Sequence, residues 1–145
     1  MPIIDFHTHA FPDSVAGRAV PHLEKEGNIK AYLDGKISSL LASMDVSGVT
    51  ASVVASIATR PEQADSILRW SKQIASDRIV PFPSVHPADP EAPTRVRAIA
   101  QAGFKGVKLH PYYQDFFIDD ECVFPLYEAL LNHNLILLLH TGFDM

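Results

Sequence analysis

Short apolar runs alternate along the chain with longer segments whose apolar residues recur every three or four positions. The runs are rich in Val, Ile and Leu, which predicts buried β-strands, and the longer segments predict amphipathic helices. Gly, Pro and Asp stand at several segment ends, where they favour helix starts and stops. The predicted strands cover residues 3–7, 50–56, 79–85, 106–110 and 135–140, and the predicted helices cover 14–25, 37–46, 61–76, 90–102 and 120–132.

This order of elements predicts a parallel sheet covered by helices, either a (β/α)₈ barrel or an open doubly wound sheet. Four of the five strands end in a histidine: His7, His86, His110 and His140. Barrel enzymes place their active site at the C-terminal ends of the strands, whereas an open sheet binds mainly at one switch point. We therefore predict an α/β fold of the TIM-barrel (β/α)₈ type.

The length of the chain limits how many strands of such a barrel it can contain. A complete barrel typically takes about 250 residues and eight strands. The 145 residues contain five predicted strands, so they are expected to form about the first five β/α units. On this interpretation residues 1–145 are the N-terminal part of a single domain in a longer protein. The unpartnered fifth strand predicts self-association, because an exposed strand edge invites pairing.

Composition narrows the functional classes. The chain carries 12 basic and 17 acidic residues, for a formal net charge of −5, and the basic residues are scattered. That argues against nucleic-acid binding, which depends on clustered Lys and Arg. No apolar run is long enough to span a bilayer, the N-terminus lacks a signal-peptide pattern, and the lone Cys122 excludes an internal disulfide. These features predict a cytoplasmic protein with a small-molecule substrate and no membrane partner.

Candidate chemistry begins at the first strand, which ends in Asp5-Phe6-His7-Thr8-His9. Alternate side chains of a strand share a face, so His7 and His9 point into the same space. The fifth strand delivers His140 at its own C-terminal end. Neutral imidazoles are common zinc ligands, and a three-ligand site with an open position is typical of catalytic metals. We predict a divalent metal, with zinc favoured, at these three histidines.

The fourth strand, Gly106-Val107-Lys108-Leu109-His110, is followed by Pro111. Alternation predicts that Lys108 and His110 face the barrel interior while Val107 and Leu109 face the helices. His110 would then lie at the mouth of the barrel, where we predict a catalytic role in contacting substrate or stabilising charge. An ordinary structural histidine is the alternative.

Three segments together resemble the amidohydrolase superfamily, and more narrowly the branch that includes aminocarboxymuconate-semialdehyde decarboxylase. They are Asp5-x-His7-x-His9, Gly106-Val107-Lys108-Leu109-His110-Pro111 and Leu139-His140-Thr141-Gly142. The resemblance covers nearly the whole chain but only about the first half of the family's barrel. It implies zinc or a similar metal on His7, His9 and His140, completed by a carboxylate after strand eight and assisted by a His after strand six.

Neither of those last two groups occurs in these residues. Asp144 follows the fifth strand, so it is not equated with the missing carboxylate. Some related amidohydrolases carry a carboxylated lysine on strand four that bridges two metals, which would make Lys108 a ligand. An ion pair between Lys108 and a carboxylate such as Asp5 is the plainer interpretation.

The resemblance implies a metal-dependent hydrolase in which a metal-activated water attacks an amide, ester or lactone-type bond. Non-oxidative decarboxylation is the alternative within the same branch. A phosphoesterase of the histidinol-phosphatase type also opens with a strand-end His-x-His, but its fifth strand is not expected to end in His-Thr-Gly. A further alternative is an inactive truncated chain, since the isolated 145 residues lack the base and the fourth ligand.

For the other histidines, aromatic residues and the cysteine we predict only burial or exposure, or a place beside the substrate. Trp70 lies on the apolar stripe of a helix and is expected in the core, and Cys122 is expected to pack within the last helix. His22 and His133 are expected at the surface. Tyr112 and Tyr113 follow the fourth strand and are candidates for lining a substrate pocket.

Overall fold

The computed structural model of the chain describes residues 1–142. Strands and helices alternate through these residues as the apolar pattern predicts. The strands are β1 (Ile4–Thr8), β2 (Ala51–Ala55), β3 (Ile79–Phe82), β4 (Gly106–Leu109) and β5 (Ile136–Leu139). The helices are α1 (Asp13–Glu26), α2 (Ile37–Ser47), α3 (Ala64–Ile74), α4 (Ala92–Gln101), α5 (Pro111–Gln114) and α6 (Phe124–Asn132).

All of the paired strands run parallel, as predicted. One sheet has the order β1-β2-β3 and a second contains β4 and β5. The two sheets meet after β3, where the Lys108 N–H donates to the Pro83 carbonyl at 2.9 Å and the Ser84 hydroxyl donates to the Lys108 carbonyl at 2.8 Å. The strands thus follow chain order, and no closed barrel is found within residues 1–142.

The third strand is shorter than predicted. The apolar pattern predicts a strand to residue 85, but β3 ends at Phe82. Pro83 follows at once, and proline has no N–H to donate to a sheet ladder. Within the described residues, β4 contacts this segment through the hydrogen bond from the Lys108 N–H to the Pro83 carbonyl, just past the end of β3, and no ladder joins the two strands.

The first strand contains an irregularity at the candidate site. Asp5 pairs with Ser52 and Thr8 with Val54, so three steps along β1 oppose two steps along β2. An extra residue of this kind bends a strand and re-aims its side chains. The irregularity lies between Asp5 and Thr8 and therefore includes His7, so the simple alternation that predicts a shared face for His7 and His9 does not hold throughout this segment.

Two apolar clusters anchor the strands. The larger one joins β4 to α4 and α6, and it buries Val107 and Leu109 as predicted. The smaller one joins β2 and β3 to α2, and Trp70 of α3 packs against it, which confirms its predicted place in the core. Gly48 ends α2 with a φ of 70°, a left-handed conformation that glycine adopts without the steric cost of a side chain.

The prediction for Cys122 is wrong. Its side chain is exposed. It belongs to a 3₁₀ turn, Glu121–Val123, that precedes α6 and points Val123 into the core instead. The prediction assumed an α-helix, with about 100° between successive side chains. A 3₁₀ turn has about 120° between them, so Cys122 does not face the core.

The outer strands carry exposed apolar side chains. Ile4 and Phe6 of β1 and Ile136 of β5 are each about half exposed. Within the described residues β1 pairs only with β2 and β5 only with β4. Self-association through these edges stays a prediction, which sedimentation velocity over a range of concentrations can measure. No helix in residues 1–142 combines the length and apolar character needed to cross a membrane.

A stability prediction arises from the ion pairs of α4. Arg95 Nε donates to the buried carboxylate of Asp89 at 2.9 Å, and another of its nitrogens donates to the exposed Asp65 at 2.6 Å. Arg95→Ala leaves the Asp89 carboxylate buried without this partner, so we expect a loss of about 1–3 kcal/mol in the free energy of unfolding. Asp65→Ala is the matched control and should cost no more than ~0.5 kcal/mol. Urea unfolding measures both, and equal losses would contradict the assignment.

Candidate metal and active site

The three predicted metal ligands lie at the C-terminal ends of β1 and β5, the first and the last of the described strands. His7 is in β1, His9 follows it, and His140 follows β5. The ring centroids of His7 and His9 are 5.0 Å apart, and those of His7 and His140 are 6.3 Å apart. They meet because the C-terminal ends of parallel strands lie on one side of the sheet.

These centroid distances can be compared with those expected for two imidazoles that bind the same metal ion. Zn–N bonds of about 2.0 Å in a tetrahedral site place two coordinating imidazole centroids roughly 5 Å apart. The His7–His9 pair meets that spacing, and the His7–His140 pair is wider by roughly 1 Å. Accordingly, no three His, Cys, Asp or Glu side chains within residues 1–142 are already close enough to hold an ion. The donor chemistry fits a metal, although the described side chains do not form a complete three-ligand site.

His9 is oriented by a neighbouring strand. Its Nδ1 lies 2.9 Å from the carbonyl oxygen of Ala55, the last residue of β2. The carbonyl can only accept, so Nδ1 carries the proton and Nε2 keeps a lone pair for a metal. Although the ring keeps a large accessible area, protein atoms crowd its remaining faces, and this desolvation lowers the pKa of His9 below its usual value. The ring is therefore neutral at pH 7, as a ligand must be.

Lys108 is the closest cation to the pair. Its side chain is fully buried, and its Nζ lies 3.3 Å from Nε2 of His7. Desolvation first, and the Lys108 ammonium second, lower the pKa of His7, while the Asp5 carboxylate acts in the opposite direction. Asp5 also accepts a hydrogen bond from the His7 backbone N–H at 3.2 Å. The inward orientation predicted for Lys108 is observed.

His110 occupies the end of β4, next to the metal-ligand candidates. The ring is buried and stacks on His140, with centroids 4.1 Å apart and planes 11° from parallel. Tyr113 contacts the ring at a centroid distance of 4.3 Å. The Tyr113 N–H approaches Nδ1 of His110 at 3.4 Å, so the neutral ring carries its proton on Nε2. The predicted role of His110 in contacting substrate or stabilising charge stays a prediction.

Gln114 is a residue of this site that the sequence alone does not reveal. Its side chain is fully buried among the segments that follow β2, β3 and β4. The polar residue at the end of Pro111-Tyr112-Tyr113-Gln114 would be expected in an exposed loop. Its hydrogen-bond partners lie 29 and 56 positions earlier in the chain, so no local pattern indicates that it is buried. Pro111 is the one local signal for α5, since proline favours the first turn of a helix.

The other candidates lie outside this cluster or at its margin. His22 and His133 are exposed, as predicted. His86 is buried in the turn after β3, where its Nδ1 accepts a hydrogen bond from the Ala88 N–H at 3.1 Å. Tyr112 is exposed, so its predicted place in a substrate pocket stays a prediction. Asp144 lies outside the described residues.

The fold is shared with several solved structures. The IDCase of Metarhizium anisopliae is 18% identical with a TM-score of 0.74, and the match covers 96% of this chain and 50% of that one. The 5-carboxyvanillate decarboxylase of Sphingomonas paucimobilis is 16% identical with a TM-score of 0.73, over 96% of this chain and 51% of that one. The chain therefore spans about half the length of these proteins.

A third solved structure contains a metal. The 5-carboxyvanillate decarboxylase of Novosphingobium aromaticivorans, with bound manganese and 3-methoxy-4-hydroxy-5-nitrobenzoic acid, is 18% identical with a TM-score of 0.65. The match covers 96% of this chain and 50% of that one. Comparison with curated protein sequences finds no match.

The sequence profile of the amidohydrolase family matches residues 4–145, which is nearly the whole chain. The match includes both ends of the candidate site, His7 and His9 after β1 and His140 after β5. It favours an amidohydrolase over the phosphoesterase alternative and agrees with the resemblance drawn from the three motifs. The chain belongs to the amidohydrolase family.

Proposed function

We propose that this chain supplies the N-terminal part of the active site of a metal-dependent hydrolase that acts on an amide, ester or lactone-type bond of a small molecule. The observation that carries the proposal is the convergence of His7, His9 and His140 at one end of the parallel strands. Membership of the amidohydrolase family supports it. A divalent metal at this site supplies Lewis acidity that polarises the scissile group and activates water.

The chain's own residues have separate roles in this proposal. His9 is held by the Ala55 carbonyl and presents its second nitrogen to the metal. His110, with its proton on Nε2, donates a hydrogen bond to a substrate oxygen beside the metal. The buried Lys108 adds positive charge behind His7, which favours an anionic or strongly polarised substrate group. We propose zinc as the metal, and the manganese in a structural relative makes manganese the second ion to test.

Decarboxylation is the second candidate, and two observations favour it. Solved relatives that share this fold are 5-carboxyvanillate decarboxylases. The buried ammonium of Lys108 lies behind His7 and adds positive charge at the strand ends, which would attract a substrate carboxylate. Hydrolysis and decarboxylation both use a metal that polarises a carboxyl or carbonyl oxygen, so fold likeness alone does not separate them.

Ligand binding can separate the two reactions. Isothermal titration of the metal-loaded chain compares acetohydroxamate, which imitates an attacked acyl group, with 3-methoxy-4-hydroxy-5-nitrobenzoic acid. A hydrolase site should bind the hydroxamate more tightly, and tighter binding of the nitrobenzoate supports the decarboxylase. Each titration is repeated with His110→Ala, because only a ligand inside the site should lose affinity in that variant.

Metal binding without turnover is the expected behaviour of the isolated 145-residue chain. Three imidazoles suffice to bind an ion, but the carboxylate and the further His implied by the family come from strands beyond the fifth. Zinc and manganese titrations followed by calorimetry should show about one ion per chain. Assays with aryl esters, lactones and 5-carboxyvanillate should then show no metal-dependent rate above buffer. A measurable rate that disappears with chelator would overturn the expectation.

A further inference from the structure

The amide of Gln114 joins the connections that follow three successive strands. Its Oε1 accepts a hydrogen bond from the His110 N–H at 2.8 Å, after β4. Its Nε2 donates to the carbonyl of Ala58 at 2.9 Å, after β2, and to that of Val85 at 3.0 Å, after β3. Because both carbonyls can only accept, the orientation of the amide is fixed by its partners.

His110 is held from several directions by the same turn. The His110 N–H binds the Gln114 side chain, and the His110 carbonyl accepts from the Gln114 N–H at 3.0 Å. Its Nδ1 faces the Tyr113 N–H. Backbone and ring are thus fixed within one short helix, α5, and this constraint presents the ring face to His140.

We propose that Gln114 is the positioning residue of the candidate active site, acting through His110 by locking the ends of β2, β3 and β4 to one another. The inference rests on the proposed function, because Gln114 matters for catalysis only if His110, the residue that it positions, contacts the substrate. Only a side chain with both an acceptor and two donors at this length satisfies all three partners. An apolar residue of similar size would leave the His110 N–H and two carbonyls unpaired in a buried setting.

The roles of the two ends of the amide can be separated by substitution. Gln114→Met keeps the approximate volume and removes both the acceptor and the donors. Gln114→Glu keeps an oxygen to accept from His110 and removes the donors to Ala58 and Val85. Val96→Ala is the matched control, because Val96 is fully buried in the larger apolar cluster on α4 and loses packing without touching the site.

The test is nuclear magnetic resonance on the whole chain without metal or substrate. The readouts are hydrogen exchange of the His110 amide and the imidazole proton shifts of His110, which the faces of His140 and Tyr113 move upfield. Gln114→Met should lower the exchange protection of the His110 amide at least about tenfold relative to Val96→Ala. It should also remove most of the upfield shift. Gln114→Glu keeps the acceptor for the His110 N–H but turns a carboxylate oxygen towards two carbonyls, so it should restore only part of the protection that Gln114→Met loses.

Several results would overturn the inference. One is an unchanged His110 ring signal in Gln114→Met, and another is a change in Gln114→Met no larger than in Val96→Ala. If Gln114→Met does not fold, Gln114→Glu decides alone. It must keep the His110 amide partly protected while the amide nitrogens of Thr59 and His86, which follow the two carbonyls, change their shifts. Because no metal is present, this test can fail while the metal titrations succeed, and the reverse.

Discussion

Replacing Gly106 by alanine is expected to lower the free energy of unfolding by about 3 kcal/mol, near the upper end for overpacking a core position. Gly106 opens β4 and is buried. A Cβ added there would overlap the ring of Phe82 and lie 2.7 Å from the carbonyl oxygen of Ile136. Neither neighbour can yield easily, because Phe82 is buried on β3 and Ile136 belongs to the paired strand β5.

The substitution tests whether the two sheets are held together by this close approach. β3 and β4 share little backbone bonding, and the ring of Phe82 packs directly against Gly106 between the two sheets. Gly17→Ala is the control, because the position lies inside α1 and an added Cβ meets nothing within 4 Å. It should stabilise the chain by about 0.5–1 kcal/mol. Urea unfolding followed by circular dichroism measures both, and a loss below ~1 kcal/mol for Gly106→Ala would contradict this packing.

The placement of the candidate ligands was predictable because it depends on regular geometry. An apolar run that ends in His140 needs only strand periodicity to be recognised, and parallel strands then bring their C-terminal ends to one side. The same reasoning places His110 beside His140 and turns Val107 and Leu109 towards the helices, as observed. Each of these positions follows from the residue pattern of one strand and needs no knowledge of its partners.

The parts that were missed depend on partners distant in sequence. The extra residue in β1 exists only relative to β2, and the hydrogen bond from His9 to Ala55 spans 46 positions. Gln114 was missed for the same reason, because the carbonyls to which its side chain donates belong to loops distant in sequence. The early end of β3 at Phe82 is different. Pro83 was visible in the sequence, but so was Pro81, which β3 contains and pairs with Val54, so proline alone did not mark the end of the strand.

Replacing His9 by alanine is expected to weaken metal binding at least about 100-fold. Loss of groups that merely orient a metal ligand typically costs 10–100-fold in affinity, and this change removes the ligand itself together with its anchor on the Ala55 carbonyl. The fold should tolerate the change, because His9 lies after the end of β1 and is outside both apolar clusters. Calorimetric titration with zinc, and then with manganese, measures the affinity.

His133→Ala provides the matched control, since His133 is an exposed histidine that follows α6, away from the cluster. It should leave the affinity for both ions within about twofold of the parent chain. His7→Ala should behave like His9→Ala, and the double variant should lose little more than either alone, because residues that act in one site are not additive. If His9→Ala binds within threefold of the parent, or His133→Ala is equally impaired, the metal lies elsewhere. The convergence of strands β1 and β5 would then serve the packing of the chain and not its chemistry.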